Sequence, residues 1–248
     1  PLGAPALIAD AASVALVKLA TNTFLATKIA FANEWARIAD EMGADAAVVM
    51  EGVGLDPRIG PAFLRPGPGI GGSCLPEQAV AIRQATARLG IPAPLLSSVA
   101  TSNVAHTAAL LDRLASLLGG PLAGRRVALL GIAFKANTDD VRESPALALA
   151  RGLRAAGAVV AAHDPMAGAT ARAADPELLV HDDVAGAIAG ADAVLVATEW
   201  PAYGLLDWAP IARAMAGDLV FDTRRIVNGA AVRAAGLRYA ALGEPPRT

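Results

Sequence analysis

The first half of the chain carries apolar residues at helical spacing. Between residues 10 and about 42 they recur every three or four positions with no internal glycine or proline, which predicts one long helix. Shorter helices are expected around 44–53, 77–89 and 94–118. Residues 57–76 are rich in proline and glycine and predict an irregular loop. Residues 1–121 are therefore expected to form an all-helical domain.

The pattern changes after Gly124, where short apolar runs alternate with helical segments. Strands are expected at 126–130, 158–162, 193–197 and 219–221, and a helix at 145–156. This alternation is typical of βαβ units in an open, mainly parallel sheet. Residues 122–248 are therefore expected to form a second domain, which makes the fold class α/β.

Composition and charge limit the possible partners. The net charge of -2 supplies no general attraction for nucleic acid or an anionic membrane. The chain has no run of about 18 strongly apolar residues, and its first residues are not a basic region followed by an apolar one. Both observations predict a cytoplasmic protein without a membrane segment. Pro1 in place of a methionine suggests that an N-terminal portion is absent.

Cysteine and histidine usage argues against disulfides and metals. A single cysteine excludes an internal disulfide, and the three histidines have no metal-ligand spacing with it, so no metal site is expected. The histidines are interpreted as surface or packing residues.

The loop before Cys74 is the most specific chemical signal. Four glycines between 67 and 72 allow close backbone approach to a ligand, and the loop delivers the thiol to the start of a helix. A helix N-terminus favours the nucleophilic thiolate, whereas an isolated cysteine is more often an inert buried residue. Gly67, Gly69 and Gly72 match G-x-G-x-x-G, but Pro68 and the preceding helical region argue against a dinucleotide site.

Lys18 and Asn22 lie four residues apart on the long helix and therefore share a face. Both can donate hydrogen bonds, and two donors aimed at one point can stabilise a developing oxyanion. The alternative is a solvated lysine and an unrelated asparagine.

Three segments together resemble the nucleotide-sugar dehydrogenases, a family that includes UDP-glucose, GDP-mannose and UDP-N-acetylmannosamine dehydrogenases. They are residues 18–29, the Gly-Gly-Ser-Cys loop and residues 131–145, and shorter matches lie at 163–165, 197–201 and 221–224. The resemblance covers essentially the whole chain. It implies a central helical dimerisation domain followed by a Rossmann-like UDP-binding domain, without the N-terminal NAD-binding Rossmann domain.

The resemblance also implies an activity, which is NAD-dependent oxidation of UDP-glucose to UDP-glucuronate. Cys74 would add to the intermediate aldehyde, and the resulting thiohemiacetal would be oxidised to a thioester that water hydrolyses. Lys18 and Asn22 would stabilise the oxyanions. UDP-glucose is preferred because residues 66–72 resemble that branch of the family.

Further site residues follow from the motif positions. Lys135 would contact the phosphates, Arg224 the sugar or uridine side, and Arg142 the NAD phosphates. Arg58 resembles an arginine that enters the neighbouring subunit's site, which implies a homodimer through the helical domain. The full set expected to bind substrate is Arg58, Phe63, Leu64, Arg65, Gly71, Phe134, Lys135 and Arg224.

The sequence departs from the family directly after the cysteine. Gln78 replaces an aspartate that would help position the hydrolytic water, and Glu77 replaces a lysine beside the thiol. We therefore expect slower thioester hydrolysis or weaker cysteine activation. The alternatives are a non-catalytic or degenerate nucleotide-sugar-binding or dimerisation module, a sister GDP-mannose or UDP-N-acetylmannosamine dehydrogenase, and, least supported, a reductase that binds NAD on its C-terminal sheet.

Overall fold

The computed structural model of the chain describes residue 3 and residues 6–245. Four helices come first: α1 (Ala11–Met42), α2 (Ala46–Gly54), α3 (Cys74–Arg88) and α4 (Pro94–Leu117). The predicted long helix, the helix ending near 118 and the irregular loop before the cysteine are confirmed. Helix α3 begins three residues earlier than predicted, so Cys74 is its first residue rather than part of the loop.

Local signals explain the limits of α1. Asp10 caps its start by accepting a hydrogen bond from the Ser13 amide at 2.9 Å. Gly43 ends it with a φ of 70°, in the left-handed region that glycine adopts at low cost. Asp45 then caps α2 through the Ala47 amide, so the chain turns within three residues.

The second half forms a six-stranded sheet in which every neighbouring pair of strands is parallel. The order is β3-β2-β1-β4-β5-β6, which is that of a doubly wound Rossmann-like fold. Its elements are β1 (Arg126–Leu130), α5 (Pro145–Ala155), β2 (Val159–His163), α6 (Gly168–Ala174), β3 (Leu179–His181), α7 (Val184–Ile188), β4 (Ala193–Val196), α8 (Pro201–Gly204), α9 (Trp208–Ala214), β5 (Leu219–Asp222), α10 (Gly229–Ala234) and β6 (Arg238–Ala241).

The strand prediction was right for four strands and missed two. β1, β2, β4 and β5 match the apolar runs to within one residue at each end. β3 is three residues long, and β6 begins at the exposed Arg238, so neither has the continuous apolar run of a buried strand. Both missed strands are the edges of the sheet.

The order of the strands reverses between β1 and β4, which creates a crevice at their carboxyl ends. Gly131 follows β1 with a φ of 96°, and a side chain there would overlap Thr198 after β4. The Thr198 hydroxyl donates to the Ala133 carbonyl at 2.7 Å. The two connections are therefore packed directly against each other beside the crevice.

The helices and the sheet share one apolar core. Ala36 and Ala39 of α1 and Leu114 of α4 belong to the same buried cluster as Leu149 of α5 and Phe221 of β5. Helix α4 ends at Leu117 and β1 begins at Arg126, so the proposed boundary at 121–122 falls in the connection. The division into two domains stays a prediction.

Helix α1 is long and apolar enough to cross a membrane by length and composition. It packs against α2, α3 and α4, and its buried residues include Asn22 and Asn33. In its most apolar stretch 22% of the residues are buried. The expected absence of a membrane segment nevertheless remains a prediction from sequence.

Candidate functional site

The glycine-rich segment between α2 and α3 is held on one side by three side chains from α1 and α4. Asn33 accepts from the Gly67 amide at 2.9 Å, and His106 Nε2 lies 2.8 Å from the Gly67 carbonyl oxygen. Asn103 accepts from the Ile70 amide at 2.8 Å and donates to its carbonyl at 3.3 Å. These bonds provide partners for backbone amides and carbonyls that are not paired within a helix or a strand.

The opposite side of the same segment lies against the sheet domain. A Cβ at Gly71 would come within 2.5 Å of the Pro145 ring and 2.8 Å of the Glu143 carbonyl oxygen. Gly72 has a φ of 80°, and a Cβ there would lie 2.7 Å from the Phe134 ring. Glycine is therefore required at both positions by close packing against the sheet domain.

Cys74 is the first residue of α3 and is exposed. One turn further on, Gln78 accepts a hydrogen bond of 2.8 Å from the Asn22 side-chain amide, and Asn22 is only 5% exposed. The structure thus brings Asn22 and Gln78 together one turn from the thiol. Lys18 is exposed one turn earlier on α1, and its convergence with Asn22 on the cysteine stays a prediction.

Arg224 follows β5 and lies across the carboxyl ends of the strands. Its Nε lies 3.0 Å from Glu199 Oε2 and donates to the Ala197 carbonyl at 3.0 Å, and its Nη2 donates to the Phe134 carbonyl at 3.2 Å. Burial lowers the pKa of Arg224, and the Glu199 carboxylate opposes that shift. The guanidinium is therefore fixed in direction by carbonyl oxygens and a carboxylate.

Arg65 extends from the glycine-rich segment to the same place. Its Nη2 donates to the Arg224 carbonyl at 3.0 Å. A cavity of about 190 Å³ is lined by Arg65, Pro66, Glu199 and Arg224. The two arginines can donate hydrogen bonds to an anionic or polyhydroxylated ligand, and the Glu199 carboxylate in the same lining offsets part of their charge.

Lys135 and Phe134 lie after β1, on the same edge of the sheet. Lys135 is exposed, and its Nζ is 5.3 Å from the centroid of the Phe134 ring. Because that ring also packs against Gly72, the lysine lies close to the glycine-rich segment. Four residues expected to bind substrate, Arg65, Phe134, Lys135 and Arg224, are thus gathered along one edge with Gly71 nearby.

Leu64 and Phe63 differ from that group. Leu64 is 4% exposed and packs against Ala32 and Met50, so its side chain is not open to a ligand. Phe63 is half-exposed and has a φ of 65°, an uncommon backbone conformation for a bulky residue. The contact of either residue with a ligand stays a prediction.

Arg142 and Arg58 are both exposed and are each paired with the aspartate two residues earlier. Arg142 lies 2.7 Å from Asp140, whose hydrogen bond raises the pKa of Arg142, with smaller contributions from Glu77 and Cys74. The backbone of Arg142 contacts the segment before the thiol, because its carbonyl accepts a hydrogen bond from the Gly72 amide at 3.2 Å. Arg58 lies 2.5 Å from Asp56 with its side chain 87% exposed. The roles expected for both arginines are untested.

Asp164, from the motif at 163–165, shapes the connection after β1. Its carboxylate is buried and accepts from the Ile132 amide at 2.7 Å, the Ala133 amide at 3.0 Å and the Trp200 indole at 3.1 Å. These bonds hold the residues that lead to Phe134 and Lys135. The motif thus supports the site without entering it.

Sequence reasoning missed Asn33, Asn103 and His106 as residues of the site. The spacing of three between Asn103 and His106 places both on one face of α4, which is the only sequence signal that could have linked them. His106 was interpreted only as a surface or packing residue. It is 1% exposed and binds the Gly67 carbonyl, so it packs in the core and also holds the segment.

Burial lowers the pKa of His106 from 6.5 to about 4, and the facing charges are Arg37, which lowers it, and Glu34, which raises it. The neutral ring therefore stabilises the fold above pH 6.5, and this contribution is lost as the pH falls towards 4. We expect a loss of about 3 kcal/mol in the free energy of unfolding from this group.

Urea unfolding at several pH values would measure that loss against His106→Gln, which cannot titrate. The variant should lose less stability than the wild type between pH 6.5 and 4. Equal losses in the two proteins would contradict the assignment.

Comparisons with known proteins identify the family of both halves of the chain. Residues 12–105 match the model of the UDP-glucose/GDP-mannose dehydrogenase family, central domain, and residues 128–229 match the UDP binding domain of the same family. UDP-glucose 6-dehydrogenase of Rickettsia bellii is 37% identical over 243 residues, which are 97% of this chain and 56% of that protein.

Solved structures are also similar. A UDP-glucose dehydrogenase from Pyrobaculum islandicum superposes with a TM-score of 0.86 at 37% identity, over 98% of this chain and 54% of that one. A UDP-D-ManNAc dehydrogenase from Pyrococcus horikoshii superposes with a TM-score of 0.75 at 29% identity, over 92% of this chain and 51% of that one. The chain spans about half the length of these relatives. It belongs to the UDP-glucose/GDP-mannose dehydrogenase family.

Proposed function

We propose that the chain is the substrate-binding and cysteine-bearing portion of a UDP-glucose 6-dehydrogenase. The observation that carries this proposal is the glycine-rich segment, which joins Cys74 at one end to the arginine-lined cavity beside Arg224 at the other. A ligand that spans the segment would present a sugar to the thiol and a diphosphate to the basic edge of the sheet.

The basic residues at that edge suit a nucleotide diphosphate. Lys135 is an exposed cation, whereas Arg224 is held by carbonyl groups and can offer directed hydrogen bonds. UDP-glucose is the preferred donor, and the Rickettsia and Pyrobaculum relatives bear the name of UDP-glucose dehydrogenases. A sister nucleotide sugar remains the alternative, since the Pyrococcus relative is a UDP-D-ManNAc dehydrogenase.

The chemistry of this chain would centre on Cys74. Its sulfur would add to the C6 aldehyde of the sugar, and loss of a hydride from that carbon would leave a thioester. Water would then hydrolyse the thioester, which releases the carboxylate and restores the thiol. Asn22, supported by Lys18, would donate to the oxyanion formed in the addition and hydrolysis steps.

NAD would accept the hydrides, but the sheet of this chain does not fit a dinucleotide. After β1 the sequence has Gly131 but no further glycines, and α5 begins only at Pro145. The connection from β1 to α5 therefore lacks the tight glycine turn into a helix that binds a pyrophosphate in a dinucleotide-binding sheet. The cofactor would be held elsewhere, with Arg142 as the residue of this chain proposed to reach its phosphates.

Substitution of Lys135 tests substrate binding without disturbing the packed Arg224. We expect Lys135→Ala to weaken UDP-glucose binding about tenfold, because it removes a charge-assisted phosphate contact. Titration calorimetry would measure the affinity. Arg213→Ala is the matched control, because Arg213 is exposed on α9, away from the cavity. Equal affinities of the wild type and Lys135→Ala would contradict the assignment.

A specific observation favours a second candidate, a non-catalytic nucleotide-sugar-binding module. Gln78 occupies the position of the expected carboxylate, and its oxygen already binds the Asn22 amide. A neutral amide can accept this bond, but it cannot take a proton from water. Binding of UDP-glucose without turnover in the intact enzyme would favour the module. A burst in the pre-steady-state kinetics of the intact enzyme would show that thioester hydrolysis limits turnover.

Activation of Cys74 can be tested on the chain alone. We expect Glu77→Lys to increase the rate of iodoacetamide alkylation at pH 7 about threefold, because a cation near the start of α3 favours the thiolate. The increase should diminish at high salt, since Glu77 is exposed. Glu51→Lys, an exposed change on α2, is the control. An unchanged rate in Glu77→Lys would show that Glu77 does not impair the cysteine.

A homodimer through the helical domain is also part of the proposal. Phe24, Phe31, Trp35 and Ile38 form an exposed apolar stripe on α1, with spacings of seven, four and three residues. An exposed stripe of this kind is typical of an interface, and a second copy of α1 offers a matching surface. Arg58, exposed beyond α2, would then be available to the neighbouring subunit's site.

Introducing a charge into the stripe should dissociate the dimer. We expect Trp35→Asp to shift the protein from dimer to monomer in sedimentation equilibrium, because the dimer would bury an unpaired carboxylate. Val104→Asp is the control, since Val104 is 73% exposed on α4 and lies outside the stripe. A Trp35→Asp protein that sediments as a dimer would place the interface elsewhere.

A further inference from the structure

Both backbone polar groups of Gly67 are bound by buried side chains that the proposed chemistry does not use. His106 lies 2.8 Å from the carbonyl oxygen, and Asn33 accepts from the amide at 2.9 Å. The two side chains are 1% and 2% exposed. Polar side chains so fully buried lose their hydration and need hydrogen-bond partners in the protein, and Gly67 supplies one such partner to each of them.

The partners of the His106 ring define its protonation. Nδ1 lies 2.8 Å from the Arg37 guanidinium, which only donates, so Nδ1 must accept. Nε2 faces the Gly67 carbonyl oxygen, which only accepts, so Nε2 must carry the proton. The ring is therefore neutral and in a single tautomer, held by Arg37 in the form that binds the segment.

The position of Gly67 matters because it adjoins Arg224. A Cβ at Gly67 would lie 2.9 Å from Arg224 Nη1, so the backbone there is in close contact with the guanidinium. The preceding residues, Arg65 and Pro66, line the cavity together with Arg224. A shift of Gly67 would move one wall of that cavity relative to the arginine.

We propose that His106 is a positioning residue for nucleotide-sugar binding, which acts by holding the Gly67 carbonyl and thereby the wall of the cavity beside Arg224. The inference rests on the proposed function. His106, on α4, would thus raise the affinity for the ligand although its side chain does not contact the ligand.

Two substitutions separate hydrogen bonding from volume. His106→Leu fills similar space but cannot bind Gly67, and we expect it to weaken UDP binding in calorimetry about tenfold. His106→Gln carries an amide N–H that can donate to the same carbonyl, and it should bind UDP within about threefold of the wild type. Leu110→Ala controls for general destabilisation, because Leu110 is buried on α4 in the shared core. It should lower the melting temperature and leave UDP affinity unchanged.

The outcomes are distinguishable. A wild type that does not bind UDP would overturn the proposed function and this inference with it. A wild type that binds UDP no better than His106→Leu would overturn the inference alone, as would a His106→Gln protein as weak as His106→Leu. Imidazole nitrogen NMR of the unliganded chain at pH 7 provides a second readout. The Nε2–H tautomer is expected, and an Nδ1–H or doubly protonated ring would contradict the inference.

Discussion

The site depends on a short stretch of backbone that has no secondary structure of its own. Between Gly67 and Gly72 the chain passes between two packed surfaces, where most of its residues are buried and their amides and carbonyls need partners within the protein. Asn33, Asn103 and His106 pair some of these groups from the helical side. From the other side, Phe134 and Pro145 approach so closely that side chains at 71 and 72 would collide with them. The glycines allow this close packing and the buried polar side chains pair the backbone, and together they constrain the path of the segment.

That constraint determines where the thiol lies. The segment leads directly into α3, so its position sets the first turn of the helix and hence Cys74. The sheet is in turn fixed to the helices through a common apolar core and through Arg225, which binds the Asp45 cap of α2 at 2.7 and 2.9 Å. The helices and the basic edge of the sheet are therefore joined by direct contacts, although they come from different halves of the chain.

The residues next to the thiol make activity a separate question from family membership. Membership follows from matches over both halves of the chain and from similarity to solved dehydrogenase structures. In the proposed reaction turnover would depend on a few groups, and here the Asn22 amide is bound to the neutral Gln78 while Glu77 adds a negative charge nearby. The fold can be retained when such groups change, because they contribute little to the core.

The sequence by itself determined the long helix, the four central strands and the motifs that carry the family resemblance. These features depend on local periodicity and on contiguous residues, which a single chain displays directly. The edge strands β3 and β6 lacked that signal, because they are short and only partly buried. Only the tertiary structure decided the roles of Asn33 and His106, because their partner Gly67 lies 34 and 39 residues away in sequence. A buried hydrogen bond to a backbone group far away in the sequence produces no periodic pattern of residues, so the sequence alone does not reveal it.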